Sequence, residues 1–265
     1  MGKHRRIAYW SQWRLVGVAL VLHVACTRQA APVPDLQVPS VKKEQTAQNV
    51  PHSTISDTAG LAHDLRIIER KLGRLEPGIQ DHLVAVEVTY FSFADSACTQ
   101  VDKSALLAGI LLVHDCIAED VKAIFEGLRR DTFPIAKVIP INRYGLNADS
   151  TGWNDAASMA DNNTSAFNYR GKAHVPGISK HAQGIAIDIN PMLNPLVKQG
   201  PNGVIREPVE GHYDPERPGT LTSARIMKHL TPYGWAWGGR WRRPQDHQHI
   251  ERAHGRCDHF RFSLE

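Results

Sequence analysis

Ser179-Lys-His181-Ala-Gln-Gly184-Ile-Ala-Ile-Asp188-Ile-Asn190 is the stretch on which the reading of this chain turns. Its second half, Ile185-Ala-Ile-Asp-Ile189, is a short apolar run rich in β-branched residues, the pattern of a buried strand. An ionised Asp in a buried strand is costly unless it is paired or bound to a metal. His181 lies seven positions before Asp188, an odd separation that on one unbroken strand sends the two side chains to opposite faces. Gly184 between them permits a turn or bulge that brings both to one side. A converging His and Asp are then two zinc ligands. The alternative from these residues alone is an Asp capping a loop and a surface His.

Working outward, the 265 residues allow one large domain or two small ones, with ordinary fractions of charged and apolar residues. The formal charge of +4 is a property of the N-terminus, where residues 1–25 hold Lys3, Arg5, Arg6 and Arg14 and no acid. Without those four, 27 bases balance 27 acids, so a basic surface for nucleic acid is excluded as an expectation.

Residues 1–25 have the layout of an export signal: a basic region ending at Arg14, then the apolar run Leu15 to Leu22, too short to span a bilayer. Ala25-Cys26 resembles the bacterial lipobox, although His23 stands where that pattern has an apolar residue. It makes Cys26 the lipidation candidate, and the expected location is the periplasm or cell envelope with a membrane anchor. Residues 27–60, rich in Pro, Gln, Ser, Thr and Val without periodicity, read as a disordered tether. Residues 61–265 read as a single domain. An exported compartment permits a disulfide among Cys98, Cys116 and Cys257, one thiol staying free. Cys98 with Cys116 is the expected pair, because they flank one strand-like segment.

Residues 61–72 carry apolar groups at helical spacing and stop at Gly73, with His63 and Asp64 expected on the exposed side. Strands are expected over 82–93, 106–113 and 133–141, the last an edge strand interrupted by Pro134 and Pro140. An amphipathic helix is expected over 117–128, and His114-Asp115 reads as a strand-end pair, not a metal site. Residues 142–180 read as a long loop region. Within it Arg170 follows Phe167 and Tyr169, which could hold its planar head for a bidentate grip on a carboxylate; a structural Arg bonding loop carbonyls is the alternative. After Pro191 a turn-rich stretch is expected to Gly219, then a helix over 223–230. In Gly234-Trp-Ala-Trp-Gly-Gly-Arg-Trp241 the three Trp read as wall and core, and the glycines as close backbone approach or a turn.

The second half of the site is Pro244-Gln-Asp246-His247-Gln-His249-Ile-Glu251. Pro244 delays any strand, which puts Asp246 in a turn and His249 on the strand proper. His247 and His249 share a face by alternation, so spacing does not choose between them as ligand, and His254 and His259 are further candidates.

Ser179-x-His181-x-x-Gly184-x-Ala186-x-Asp188 followed by Asp246-x-x-His249 resembles the VanY-type D-alanyl-D-alanine carboxypeptidases and L-alanyl-D-glutamate endopeptidases, zinc peptidases of bacterial cell-wall peptides. The resemblance covers roughly Leu83 to Glu251. It implies one zinc per chain held by His181, Asp188 and His249, with Asp246 as catalytic base, Arg170 for the substrate carboxylate and Ser179 as a nearby hydrogen-bonding residue. Two imidazoles and one carboxylate leave a zinc coordination position open, as hydrolysis requires. The fold it implies is α+β: a small, mainly antiparallel sheet carrying the metal on one face, with helices packed on the other. The implied partners are peptidoglycan peptides, to be trimmed at a terminal D-alanine or cut internally. The rival from another class is a metal-containing cell-wall-binding protein without catalysis.

Overall fold

A computed structural model describes residues 58–170, 178–253 and 257. The export signal of 1–25, Cys26, most of the tether, His254 and His259 lie outside the described residues. The described residues all belong to one compact unit, His52–Glu265. Among them no helix is long and apolar enough to cross a membrane.

The chain enters through helix α1 (Thr58–Leu72) and the single turn α2 (Pro77–Gln80). α1 begins three residues inside the stretch expected as tether. Leu65 and Ile68 are its buried stripe, and Gly73 ends it with a positive φ. His63 is exposed as expected. Asp64 is not free: it accepts the indole N–H of Trp153 at 3.1 Å.

Strands β1 (Leu83–Phe93) and β2 (Val101–His114) form a long antiparallel hairpin with a register shift between Tyr90 and Ser92. Val86, Val88, Tyr90, Leu111 and Val113 are buried in one core with helix α3 (Ala118–Arg130), whose Val121, Ile124, Phe125 and Leu128 form its apolar stripe. β2 starts earlier than expected because its first residues, through Leu107, are largely exposed and show no apolar alternation. The expected strand over 133–141 shrinks to β3 (Lys137–Val138), since Pro134 and Pro140 cannot donate to a ladder. Helix α4 (Asp155–Ala160), capped by Asn154, and strand β4 (Asn163–Thr164), parallel to β3, give structure to the expected long loop.

β5 (Ala186–Asp188) follows. The hairpin β6 (Leu196–Gly200) and β7 (Gly203–Glu207) then occupies a stretch read from sequence as turns only. Helix α5 (Ser223–Leu230), β8 (Trp235–Trp237), β9 (Gln245–Asp246) and β10 (His249–Arg252) complete the order. The central sheet is β5-β10-β8, antiparallel throughout, and β9 joins the β6–β7 hairpin in a second three-stranded sheet. The architecture is the expected α+β one, with small antiparallel sheets and packed helices.

Two apolar clusters meet behind the quoted stretch. Ile185, Ile187, Ile189, Ile250, Trp235 and Trp237 belong to the cluster that contains α3 and α5. Ala182 belongs to the other, with Leu65, Ile68, Trp153, Phe167 and Tyr169. The chain crosses from one to the other at Gly184.

The disulfide joins Cys116 to Cys257, not Cys98 to Cys116. Cys98 is a free thiol in the tight turn that links β1 to β2, where Asp95 caps the turn through Thr99 and Gln100. Cys116 lies at the start of the α3 segment, within reach of the chain that leaves β10.

Candidate active site

His181 sits in a turn over 179–184, closed by Gln183 N–H to the Ser179 carbonyl at 3.2 Å and Gly184 N–H to the His181 carbonyl at 2.9 Å. Gly184 has φ +70, which a side chain disfavours, and a Cβ there would meet the His114 nitrogen at 2.8 Å. The turn delivers His181 to the side of β5 on which Asp188 lies, as the odd separation demanded. Ser179 Oγ accepts Ala182 N–H at 3.0 Å, so its first task is to cap this turn.

On the sheet, His249 stands directly opposite Asp188, and Ile250 opposite Ile187. By alternation the first pair faces the site and the second the core. Asp188 is strapped from its other edge by Ser165, through main-chain bonds of 2.9 and 3.1 Å. The neighbouring Ala166 carbonyl accepts from His181 Nδ1 at 2.8 Å, which leaves the lone pair of Nε2 facing the site.

Three ligand-type atoms converge. His181 Nε2 lies 3.0 Å from His249 Nδ1 and 3.3 Å from Asp188 Oδ2, and His249 Nδ1 lies 3.2 Å from Asp188 Oδ1. All three residues are buried, and the group could hold a metal ion. A tetrahedral zinc with bonds of about 2.0–2.1 Å has ligand edges of about 3.3–3.4 Å, so the donor set fits. The electrostatics agree. Burial opposes charge on Asp188, yet the two imidazoles outweigh it and hold the carboxyl well below the usual range. Burial likewise opposes charge on His249, but hydrogen bonds to Asp188 and Glu251 and the nearby Asp246 raise its pKa to about 10. One proton on His249 can face only part of a ring of lone pairs that a divalent cation would face entirely.

Asp246 lies beside this group on β9, paired with Leu196, and not in a turn as expected. Its Oδ1 is buried without a hydrogen-bond partner. Burial first, and then the charge of Asp188, push its pKa up to about 6, which suits a general base near neutrality. Gly238 backs it closely: a Cβ there would lie 2.6 Å from the Asp246 carbonyl oxygen and 3.3 Å from His249 Cβ.

An open cleft of about 370 Å³ contains every residue expected at the site other than Cys26: Arg170, Ser179, His181, Asp188, Asp246 and His249. Arg170 Nε lies 3.5 Å from Asp155 Oδ2 at the cleft wall, while Phe167 and Tyr169 are buried in the core. His247 does not line the cleft; its ring stacks on Tyr213 with centroids 3.7 Å apart. Residues 247 and 248 fall between β9 and β10, so the alternation expected to put His247 beside His249 does not apply.

Sequence reasoning passed over Asp155 and Glu251, and read Trp241 with the other two Trp as wall and core. The Trp241 ring lies 5.3 Å from that of His249 and lines the cleft, partly exposed, unlike core Trp235 and Trp237. Glu251 was findable, since it shares the site face with His249 by period two. A second cluster, His82, His114 and Asp115, lies elsewhere. There His114 Nδ1 accepts Cys116 N–H at 3.1 Å and Nε2 faces the Gly78 carbonyl at 3.2 Å, in keeping with the strand-end reading.

A buried His-Asp-His group with an adjacent raised Asp, all lining one cleft, is able to hold a metal ion beside a general base. Residues 173–252 match the family model described as D-alanyl-D-alanine carboxypeptidase. The match is narrower than the span from Leu83 to Glu251; it includes both halves of the motif and begins after Arg170. Comparison with curated proteins and with solved structures gave no match.

Proposed function

We propose that this protein is a zinc-dependent carboxypeptidase that removes the terminal D-alanine from peptidoglycan stem peptides outside the cytoplasm. The observation that carries the reading is the convergence of His181 Nε2, Asp188 and His249 Nδ1 within 3.0–3.3 Å, with Asp246 alongside. His181, Asp188 and His249 would hold the ion, which when bound supplies Lewis acidity to a carbonyl and to a water. Asp246, whose Oδ1 has no hydrogen-bond partner and whose pKa is tuned toward neutrality, takes the attacking water's proton and returns it to the leaving amine. Arg170, with Asp155 beside its guanidinium, grips the substrate's terminal carboxylate and so contributes orientation. That grip is what favours a carboxypeptidase over an endopeptidase. Ser179 offers its hydroxyl hydrogen at the cleft wall, its oxygen being engaged by Ala182.

Residues 1–25 would export the chain, Cys26 would anchor it by a lipid, the stretch from 27 to the start of α1 at Thr58 would act as tether and the remainder as the peptidase body. The Cys116–Cys257 disulfide supports an oxidising compartment. The test is incubation of the purified protein with a stem pentapeptide, with and without chelator. Loss of one alanine by mass, abolished by chelator, is expected. Internal fragments would replace the carboxypeptidase by an endopeptidase. An intact peptide in the presence of zinc-loaded protein would leave a cell-wall-binding protein. Asp246→Ala should keep zinc and lose activity by a factor of about 10²–10⁴; loss of zinc would make Asp246 a ligand instead.

A further inference from the structure

We propose that Glu251 is a positioning residue of the metal site, whose carboxylate fixes the tautomer and ring orientation of His249 and thereby selects Nδ1 as the ligand atom. The inference rests on the metal reading above and deepens it.

Glu251 stands two residues beyond His249 on β10 and therefore on the same face. Across the sheet its partner is Ala186, whose small buried side chain does not compete for that space. Glu251 Oε2 lies 3.1 Å from His249 Nε2. A carboxylate only accepts, so Nε2 carries a hydrogen toward Glu251, and a cation that displaces the proton Nδ1 shares with Asp188 would find the lone pair on Nδ1. Nδ1 is the atom that faces His181 and Asp188, at 3.0 and 3.2 Å. His181 is held the other way round: its Nδ1 donates to the Ala166 carbonyl, and Nε2 faces the site.

The two imidazoles thus present different nitrogens, each dictated by the partner behind it. For His181 that partner is main chain, which substitution cannot remove. For His249 it is a side chain. Without the Glu251 acceptor, His249 can exchange tautomers or turn its ring, and the donor triangle opens. Carboxylates behind a metal-binding His typically contribute about 10–100-fold in metal affinity.

The test uses the full chain, with Zn²⁺ affinity measured by competition against a chromophoric chelator and the His tautomers read by ¹⁵N NMR of the zinc-loaded protein. The unaltered protein should show His249 metal-bound through Nδ1 and protonated at Nε2, with His181 the reverse. Glu251→Gln, which keeps an acceptor oxygen, should retain that pattern and lose less than about tenfold in affinity. Glu251→Met, similar in size but with no comparable acceptor, should lose about 10–100-fold and show mixed His249 ligation. A Met variant within about twofold of the unaltered protein, with the same spectrum, overturns the inference while zinc binding itself stands. An unaltered protein that does not bind Zn²⁺ overturns the metal reading and this inference together. If Glu251→Met does not fold, the other two proteins decide: His249 bound through Nε2 in the unaltered protein or in Glu251→Gln overturns it, and Nδ1 ligation in both supports it.

Discussion

At Asp246, burial and the Asp188 charge push the carboxyl pKa from 3.8 up to about 6. The folded chain holds this proton more tightly than the unfolded chain does. Stability is therefore highest below the unfolded value, falls as pH rises between about 4 and 6, and carries the full cost above that, roughly 3 kcal/mol at most. Asp246→Asn removes the charge. In zinc-stripped protein we expect it to be more stable than the unaltered chain by about 1–3 kcal/mol near pH 8 and equal to it near pH 4, by urea unfolding. With zinc loaded the gap should narrow, because a neighbouring cation favours the carboxylate. A difference that ignores pH would mean Asp246 is solvated and untuned. The meeting of His181 and Asp188 was suggested by their residue types and the Gly between them, whereas His249 in place of His247, and Asp246 beside it, came only through the resemblance, because spacing left both histidines open. Asp155 was not legible: it reaches the cleft from α4, a helix that only tertiary packing brings to the β5 edge. Arg170 was read as held by Phe167 and Tyr169, whereas those rings serve the core and Asp155 is the partner beside the guanidinium.

The element that organises the site is the turn before β5, and its weakest point is Gly184. A Cβ there would meet the His114 nitrogen at 2.8 Å and Leu83 Cδ2 at 3.1 Å, on a backbone with φ +70. Gly184→Ala should cost about 2–4 kcal/mol, the left-handed penalty plus the clash with β2. Because His181 is on the same turn, zinc affinity should fall as well. Urea unfolding with and without metal checks both; unchanged affinity would show that the turn does not set the His181 position. This turn was readable because an odd His–Asp separation required a break and a Gly supplied one. The β6–β7 hairpin was missed for the opposite reason. β7 is largely exposed and β6 only half-buried, so no apolar alternation marks them, and only Gly200-Pro-Asn-Gly203 signals the reversal. That hairpin matters, since β6 pairs with β9 and so carries Asp246. The strand expected over 133–141 failed because apolar content outweighed two prolines in the reading, while hydrogen bonding obeyed the prolines.

Across the whole molecule the site lies on a seam. Ala182 is embedded in one core and Ile185, Ile187, Ile189 and Ile250 in the other, so the ligands are positioned by two packed bodies that must keep register. The Cys116–Cys257 disulfide bears on that register, because it joins cysteines separated by 141 in sequence and its loop includes every metal-site residue. Sequence offered no route to this pairing: Cys257 reaches Cys116 only after β10 has joined the central sheet, whereas Cys98, nearer in sequence, is committed to the β1–β2 turn. Closing so long a loop restricts the unfolded chain strongly, and reduction should cost about 2–5 kcal/mol. The expected result is a lower urea midpoint in reductant for the unaltered protein, and the same lowered midpoint with or without reductant for the double variant Cys116→Ser, Cys257→Ser. Because the donor triangle is built by β5, β10 and the Gly184 turn, zinc affinity of the folded double variant should stay close to that of the unaltered protein. Loss of zinc binding while the variant is still folded would mean that the disulfide shapes the site and does not merely stabilise its frame. Identical midpoints in oxidised and reduced protein would mean that the two sulfurs are not joined in solution.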